Sequence, residues 1–150
     1  MDILTKRTIV DGYKHERIYR LLYNVDLYLV SYEKLKSKEG NMTKGADNKT
    51  ADGFNIELIE KIINELKNES YSPTPVRRKY IDKKNGKKRP LGIPSFRDKL
   101  VQEVVRMILE SIYEPIFKDN SHGFRPNKSC HTAFADILSS HRSRRVGLVF

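Results

Sequence analysis

The sequence predicts an α+β fold, mostly helical, with a single β-hairpin. Apolar residues recur at helical spacing in four separate stretches. The strand-like segments flank one Asn-Gly dipeptide, at residues 85 and 86. At 150 residues and 38% hydrophobic content, the chain can bury one ordinary core, so one domain or part of a larger one is expected.

The first periodic stretch is HERIYRLLYNVDLYLVSYEKL, residues 15–35, with Ile18, Leu21, Leu22, Val25, Leu29 and Tyr32 on one face. Asn24 and Asp26 divide it into two helices, with Asp26 expected to cap the second. Residues 37–53 hold three glycines and many small polar residues and read as a loop, with 45–53 in it as a flexible lid. Asn55 then caps a helix over 56–68, whose stripe is Leu58, Ile59, Ile62, Ile63 and Leu66. Glu57 in its first turn suits the helix dipole. The prolines of YSPTPV, residues 71–76, end that helix and extend the chain. Strands are expected at 76–81 and 89–93, joined by Asn85-Gly86, both residue types being tolerant of positive φ. Pro90 lacks a donor, so it belongs to an edge strand or a strand start. Ser95 and Asp98 resemble a capping box opening a helix over 96–114, which Pro115 closes. Leu100, Val101, Val104, Val105, Ile108, Leu109 and Ile112 form its broad apolar face. A loop leads to a shorter helix near 129–140, and GLVF at 147–150 reads as the opening of a buried strand.

The formal charge of +10 is unevenly distributed. Residues 1–70 hold 12 basic and 12 acidic side chains, whereas residues 71–150 hold 17 basic and 7 acidic ones. That asymmetry favours a polyanionic partner, nucleic acid before anionic membrane. No apolar run approaches membrane-spanning length, and MDILTKRTIV lacks an apolar signal core, so a cytoplasmic protein is expected. The single cysteine, Cys130, excludes an internal disulfide framework and fits a reducing compartment. His122, Cys130, His131 and His141 are metal-ligating types without zinc spacing, so no metal site is assigned; Cys130 and His131 are expected to pack or cap. Asp47, Asn48 and Asp52 do not follow the spacing of a calcium loop.

Two constellations carry chemistry. Arg77, Arg78, Lys79, Lys83, Lys84, Lys87, Lys88 and Arg89 crowd the hairpin, more cations than protection of a sheet edge requires. Arg77, Lys79 and Ile81 alternate with Val76, Arg78 and Tyr80, so both faces carry charge, and one is expected to meet phosphates. In HGFRPNKSCHTAF, residues 122–134, Gly123 and Pro126 constrain the backbone around Phe124 and Arg125. Two readings stand there: a structural loop with Phe124 buried, or one in which Arg125 and Lys128 also extend the phosphate-binding surface.

In order and spacing, the TKGADNKTADGF loop, the block from PVRRKYIDKKNGKKRPLGIP to EPIF, and SHGFRPNKSCHTAF resemble the N-terminal part of group II intron-encoded reverse transcriptases and maturases. The resemblance covers about residues 13–140. It implies an N-terminal extension over 1–54, with a template lid at 41–53, and the fingers of a right-hand polymerase over 55–150, ending at the start of the palm. By position it implies that Lys83 and Arg89 grip the triphosphate of an incoming nucleotide and that Arg77 lies against the template. It also implies that the helices of 13–37 help bind intron RNA. Asp82 stands where the family commonly has proline or a small residue.

The family's polymerisation uses Mg2+ held by paired aspartates, and this chain has no Asp-Asp pair. The expectation is therefore a fingers portion with no catalytic residue and no metal ligand of its own. It binds RNA and a deoxynucleoside triphosphate, and a separate palm-containing polypeptide is a possible partner. A bacterial cytoplasm or an organellar matrix would be its location. A stand-alone RNA-binding splicing helper and a degenerate inactive product are the alternatives.

Overall fold

The computed structural model describes residues 2–38, 40 and 43–143, the side chains of 141–143 excepted. The strand expected at 147–150, lid residues 41 and 42 and the His141 side chain lie outside the described residues. The chain forms two compact units, Lys14–Leu109 and the combination of Met1–Tyr13 with Glu110–Phe150.

In the first unit a 3-10 turn, Ile18–Tyr23, leads into helix α2, Val25–Lys36 (helix α1, Asp2–Thr8, lies in the other unit). The break falls where the sequence predicts, but the cap is Asn24, whose side chain accepts the Asp26 N–H at 2.9 Å. Asp26 is instead a first-turn acid, favourable beside the exposed helix amides. Helix α3, Ile56–Lys67, is capped as expected: Asn55 Oδ1 accepts the Leu58 N–H at 2.8 Å. Its stripe buries Ile59, Ile62, Ile63 and Leu66. The last-turn carbonyl of Leu66 accepts the Tyr19 hydroxyl at 3.0 Å, tying α3 to the 3-10 turn.

Strands β1, Arg77–Asp82, and β2, Lys88–Ile93, form a two-stranded antiparallel ribbon. The turn differs from the two-residue form expected of Asn-Gly. Lys83 O accepts the Gly86 N–H at 3.0 Å, and Lys83 N–H donates to Lys87 O at 2.7 Å. Of the two central residues only Gly86 has positive φ, +74°, which marks a tight turn ending in a one-residue bulge. Asn85 stays in the ordinary region and uses its Oδ1 to accept the Lys87 N–H at 3.2 Å. Counting from the bonded pair Lys83–Lys87, Pro90 opposite Tyr80 occupies a non-hydrogen-bonded site, where its missing donor costs no ladder bond.

Helix α4, Phe96–Tyr113, begins with Ser95 and Asp98 as predicted, and its buried residues within this unit include Leu100, Val104 and Ile108. The expected face is covered only in part. Leu109 is exposed, and with Val105, Ile18, Tyr19 and Leu22 it lines an apolar groove. The 43–53 loop is docked rather than loose: Gly45 and Ala51 are buried, and Phe54 stacks on Tyr32 with ring centroids 3.8 Å apart.

In the second unit, helix α1, Asp2–Thr8, has no buried residue, which is why no apolar stripe announces it. The Thr5 hydroxyl donates to Ser111 O at 3.2 Å, fastening it to the last turn of α4. Glu114–Ile116 forms a 3-10 turn with Pro115 in its first turn. Helix α5, Cys130–Ser143, is capped not by Cys130 or His131, both exposed, but by Ser129 and Thr132. The Ser129 N–H donates to Thr132 Oγ1 at 2.9 Å, and the Thr132 N–H to Ser129 Oγ at 3.4 Å.

Candidate nucleic-acid interface

The register of the ribbon sorts its charges. Cross-strand partners share a face and successive residues alternate, so Arg77, Lys79 and Ile81 lie on the face that carries Ile93, Leu91 and Arg89. Lys83 and Lys87 continue that alternation at the turn. This face gathers five cations, Arg77, Lys79, Lys83, Lys87 and Arg89, with no acid. The opposite face carries Arg78, Tyr80 and Asp82 against Gly92, Pro90 and Lys88. There Asp82 sits opposite Lys88 and offsets it. Both faces carry charge, as the alternation predicts, but the first holds five cations unopposed and the second a net of one, Arg78.

The crowding is tolerable because within the strands each cation of the rich face opposes an aliphatic residue: Arg77 meets Ile93, Lys79 meets Leu91 and Arg89 meets Ile81. Like charges directly opposite, which would destabilise the ribbon, are confined to Lys83 and Lys87 at the turn. All of these basic residues, and Lys84 at the turn, are exposed. A cationic strip with aliphatic spacers suits a phosphate chain or a triphosphate, since long side chains can reach oxygens without burying charge.

The root of the ribbon is fixed by a residue whose role beyond capping is not legible in sequence. Asp98, 2% exposed, receives three hydrogen bonds: from Tyr71 Oη at 2.5 Å, Ser95 Oγ at 2.7 Å and the Thr74 N–H at 3.0 Å. The carboxylate thus ties the segment entering β1 to the turn leaving β2. Burial and the Asp98 hydrogen bond both push the Tyr71 phenol well above its usual range. Arg97 lies over the Tyr71 ring, 4.7 Å from its centroid, and pairs with Glu65 on α3.

Arg97 and Lys99 did carry a signal, because cations in the first turn of a helix oppose its dipole and need compensation. Glu65 supplies it for Arg97. Lys99, 9% exposed, donates to Thr43 O at 3.4 Å; desolvation lowers its pKa and Asp47 opposes that shift. Beside it a Cβ on Gly45 would stand 2.7 Å from Ser95 Cα, so only glycine lets the loop approach so closely.

In the other unit, the 122–134 segment reverses one sequence expectation. Phe124 is not a buried plug: it is 112% exposed, with φ +57°. The guanidinium of Arg125 takes the inner position instead. Its Nε and Nη2 donate to Glu114, its Nη1 to Lys118 O and Ser121 O at 2.9 and 2.8 Å, and it lies over the Phe117 ring. These bonds satisfy the fork more fully than water-facing placement would require, so the backbone turns Phe124 outward. Lys128 Nζ donates to Asp119 O at 3.0 Å. His122 lies between Thr132 Oγ1, 2.9 Å from Nδ1, and Asp136, 3.0 Å from Nε2. Thus the hairpin cations come together, whereas Arg125 and Lys128 belong to a loop of the second unit.

Among the described residues, no three His, Cys, Asp or Glu side chains are grouped to hold a metal ion. No helix among them is long and apolar enough to cross a membrane.

The fold is mostly helical and carries an acid-free cationic ribbon face, and comparison places the chain in a polymerase class. Residues 81–150 match the sequence profile described as reverse transcriptase (RNA-dependent DNA polymerase). More narrowly, the chain belongs to the group II intron-encoded reverse transcriptase and maturase family. It is 62% identical over 122 residues to the group II intron-encoded protein LtrA of Lactococcus lactis subsp. cremoris, covering 81% of this chain and 20% of that protein. An uncharacterized 91 kDa protein in a cob intron of Schizosaccharomyces pombe is 49% identical over 147 residues, 95% of this chain and 18% of the relative. A putative COX1/OXI3 intron 2 protein of Saccharomyces cerevisiae is 46% identical over 117 residues, 78% and 14% respectively. The chain spans a fifth or less of the length of these relatives.

Proposed function

We propose that this chain is the phosphate-gripping portion of an RNA-directed DNA polymerase encoded by a group II intron. Lys83 and Arg89 hold the triphosphate of an incoming deoxynucleotide, and Arg77 lies along the template. Arg78, Lys79, Lys84, Lys87 and Lys88 add contacts to template or intron RNA, and Lys128 adds one beside the loop that Arg125 shapes. Residues 1–54 act as the N-terminal extension, with 41–53 as a lid over the template, and residues 55–150 act as fingers. The observation that carries this reading is the acid-free ribbon face holding Arg77, Lys79, Lys83, Lys87 and Arg89. A guanidinium and an ammonium on one face match the spread-out charge of a triphosphate, and each charge-assisted bond adds about 1.5–3 kcal/mol.

The 150 residues include no Asp-Asp pair, so they bind without extending a primer; the reacting groups come from a palm on further polypeptide. A bacterial cytoplasm or an organellar matrix is the location that accords with these partners. The test is titration of the chain with a fluorescent deoxynucleoside triphosphate. Lys83→Ala and Arg89→Ala should each weaken binding by about ten- to a hundredfold. Unchanged affinity in both would refute the triphosphate assignment.

A further inference from the structure

Behind the 43–53 loop, a cleft of about 220 Å³ opens between that loop, α3 and the start of α4. Asp47, Lys49, Thr50, Lys61, Thr74 and Arg97 supply its polar lining, and none of the hairpin's basic residues takes part. Three cations thus face one concavity. Against them stands a single lining acid, Asp47, which also attracts the buried Lys99 and whose Oδ1 accepts the Lys49 backbone N–H at 3.3 Å. Cations gathered on a concave wall raise the local potential far more than the same charges spread over a convex surface.

Arg97 supplies a second observation. Its Nη2 is committed to Glu65 and its plane lies over Tyr71, yet its buried Nε–H finds no acceptor among the described residues. That Nε is closed off from the cleft, so an oxyanion there would meet the remaining, accessible part of the guanidinium. Because Arg97 is held on both sides, its guanidinium is already oriented, and little side-chain entropy is lost on binding.

We infer that this cleft is a second phosphate-binding site, in which Lys49 and Lys61 neutralise a phosphate group and Arg97 orients it. The phosphate belongs either to a single-stranded RNA backbone or to a free phosphate or nucleotide. The inference stands apart from the hairpin reading, since it uses different residues and a different concavity.

The test uses the whole chain, 15N-labelled and titrated with inorganic phosphate against chloride at constant ionic strength. Saturable shifts are expected at the amides of residues 49–53, 61 and 97, and these should vanish in the Lys49→Gln/Lys61→Gln double variant. Hairpin substitutions Lys83→Ala and Arg89→Ala should leave them intact, so failure of either reading is visible without the other. A second arm measures binding of a fluorescein-labelled single-stranded RNA as salt rises. If the RNA backbone is the source, the double variant lowers the log–log salt slope by about 1.4 for two lost phosphate contacts. If a free phosphate or nucleotide is the source, RNA binding stays unchanged while the phosphate shifts disappear. Absence of saturable shifts in the unaltered chain, or shifts that persist in a folded double variant, would overturn the inference. Should the double variant not fold, Lys49→Gln and Lys61→Gln are read singly, each expected to weaken phosphate binding by about three- to tenfold.

Discussion

Asp98 and Arg125 organise their units through the same device, a charged group turned inward and saturated with hydrogen bonds. For Asp98 the donors are Tyr71, Thr74 and Ser95, and removing the acceptor strands all three beside a buried void. Asp98→Ala should cost about 3 kcal/mol in urea unfolding, because each stranded donor forfeits its partner. For Arg125 the bidentate hold on Glu114 and the two carbonyl bonds require a planar fork, so Arg125→Lys should cost about 2 kcal/mol despite the retained charge. The neighbouring Phe124→Ser should change stability by less than about 0.5 kcal/mol, since that ring is wholly exposed. Glu103 sets a pH dependence. Its hydrogen bond with Arg106 lowers its pKa in the folded state, so the stabilisation is full at neutral pH and fades as pH falls through the folded value. Glu103→Gln should remove that share of acid sensitivity, with unfolding midpoints of the two proteins converging at low pH.

At the scale of elements, the helices with a stripe and a cap were legible: Asn55 with its Ile-rich stripe, and Ser95 with Asp98, place α3 and α4 to within a residue. Elements held by tertiary contact alone were not. Helix α1 buries nothing and depends on Thr5 meeting Ser111, a partner 106 positions away that no local pattern announces. The Asn-Gly turn was legible in place but not in type, because the Asn85 side chain selects the bulged form by accepting the Lys87 N–H. Phe124 misled because a large aromatic ordinarily marks burial, whereas here the adjacent guanidinium has the better set of partners. Two glycines test these elements. Gly86→Ala should cost about 1–2 kcal/mol from positive φ alone, since no atom lies within 4 Å of the added methyl. Gly45→Ala should undock the 43–53 loop, its Cβ meeting backbone at 2.7 and 2.9 Å, and protease cleavage within the loop should rise.

For the molecule as a whole, the sequence revealed that the positive charge lies in residues 71–150, and the strand alternation revealed that both ribbon faces share it. Which face holds the larger excess depends on register, and register follows from the bulged turn, so the segregation of five cations from Asp82 emerges only in three dimensions. The central claim is that this one face meets phosphate. It is tested most directly by comparing two triple variants with equal loss of charge in single-stranded RNA binding across a salt series. Lys79→Gln/Lys87→Gln/Arg89→Gln strips the rich face, and Arg78→Gln/Lys84→Gln/Lys88→Gln strips the opposite face and the turn. The first should lower the log–log salt slope by about 2, from three lost phosphate contacts, while the second, which removes only the secondary contacts of Arg78, Lys84 and Lys88, lowers it by less than about 1. Equal losses in the two variants would contradict the account.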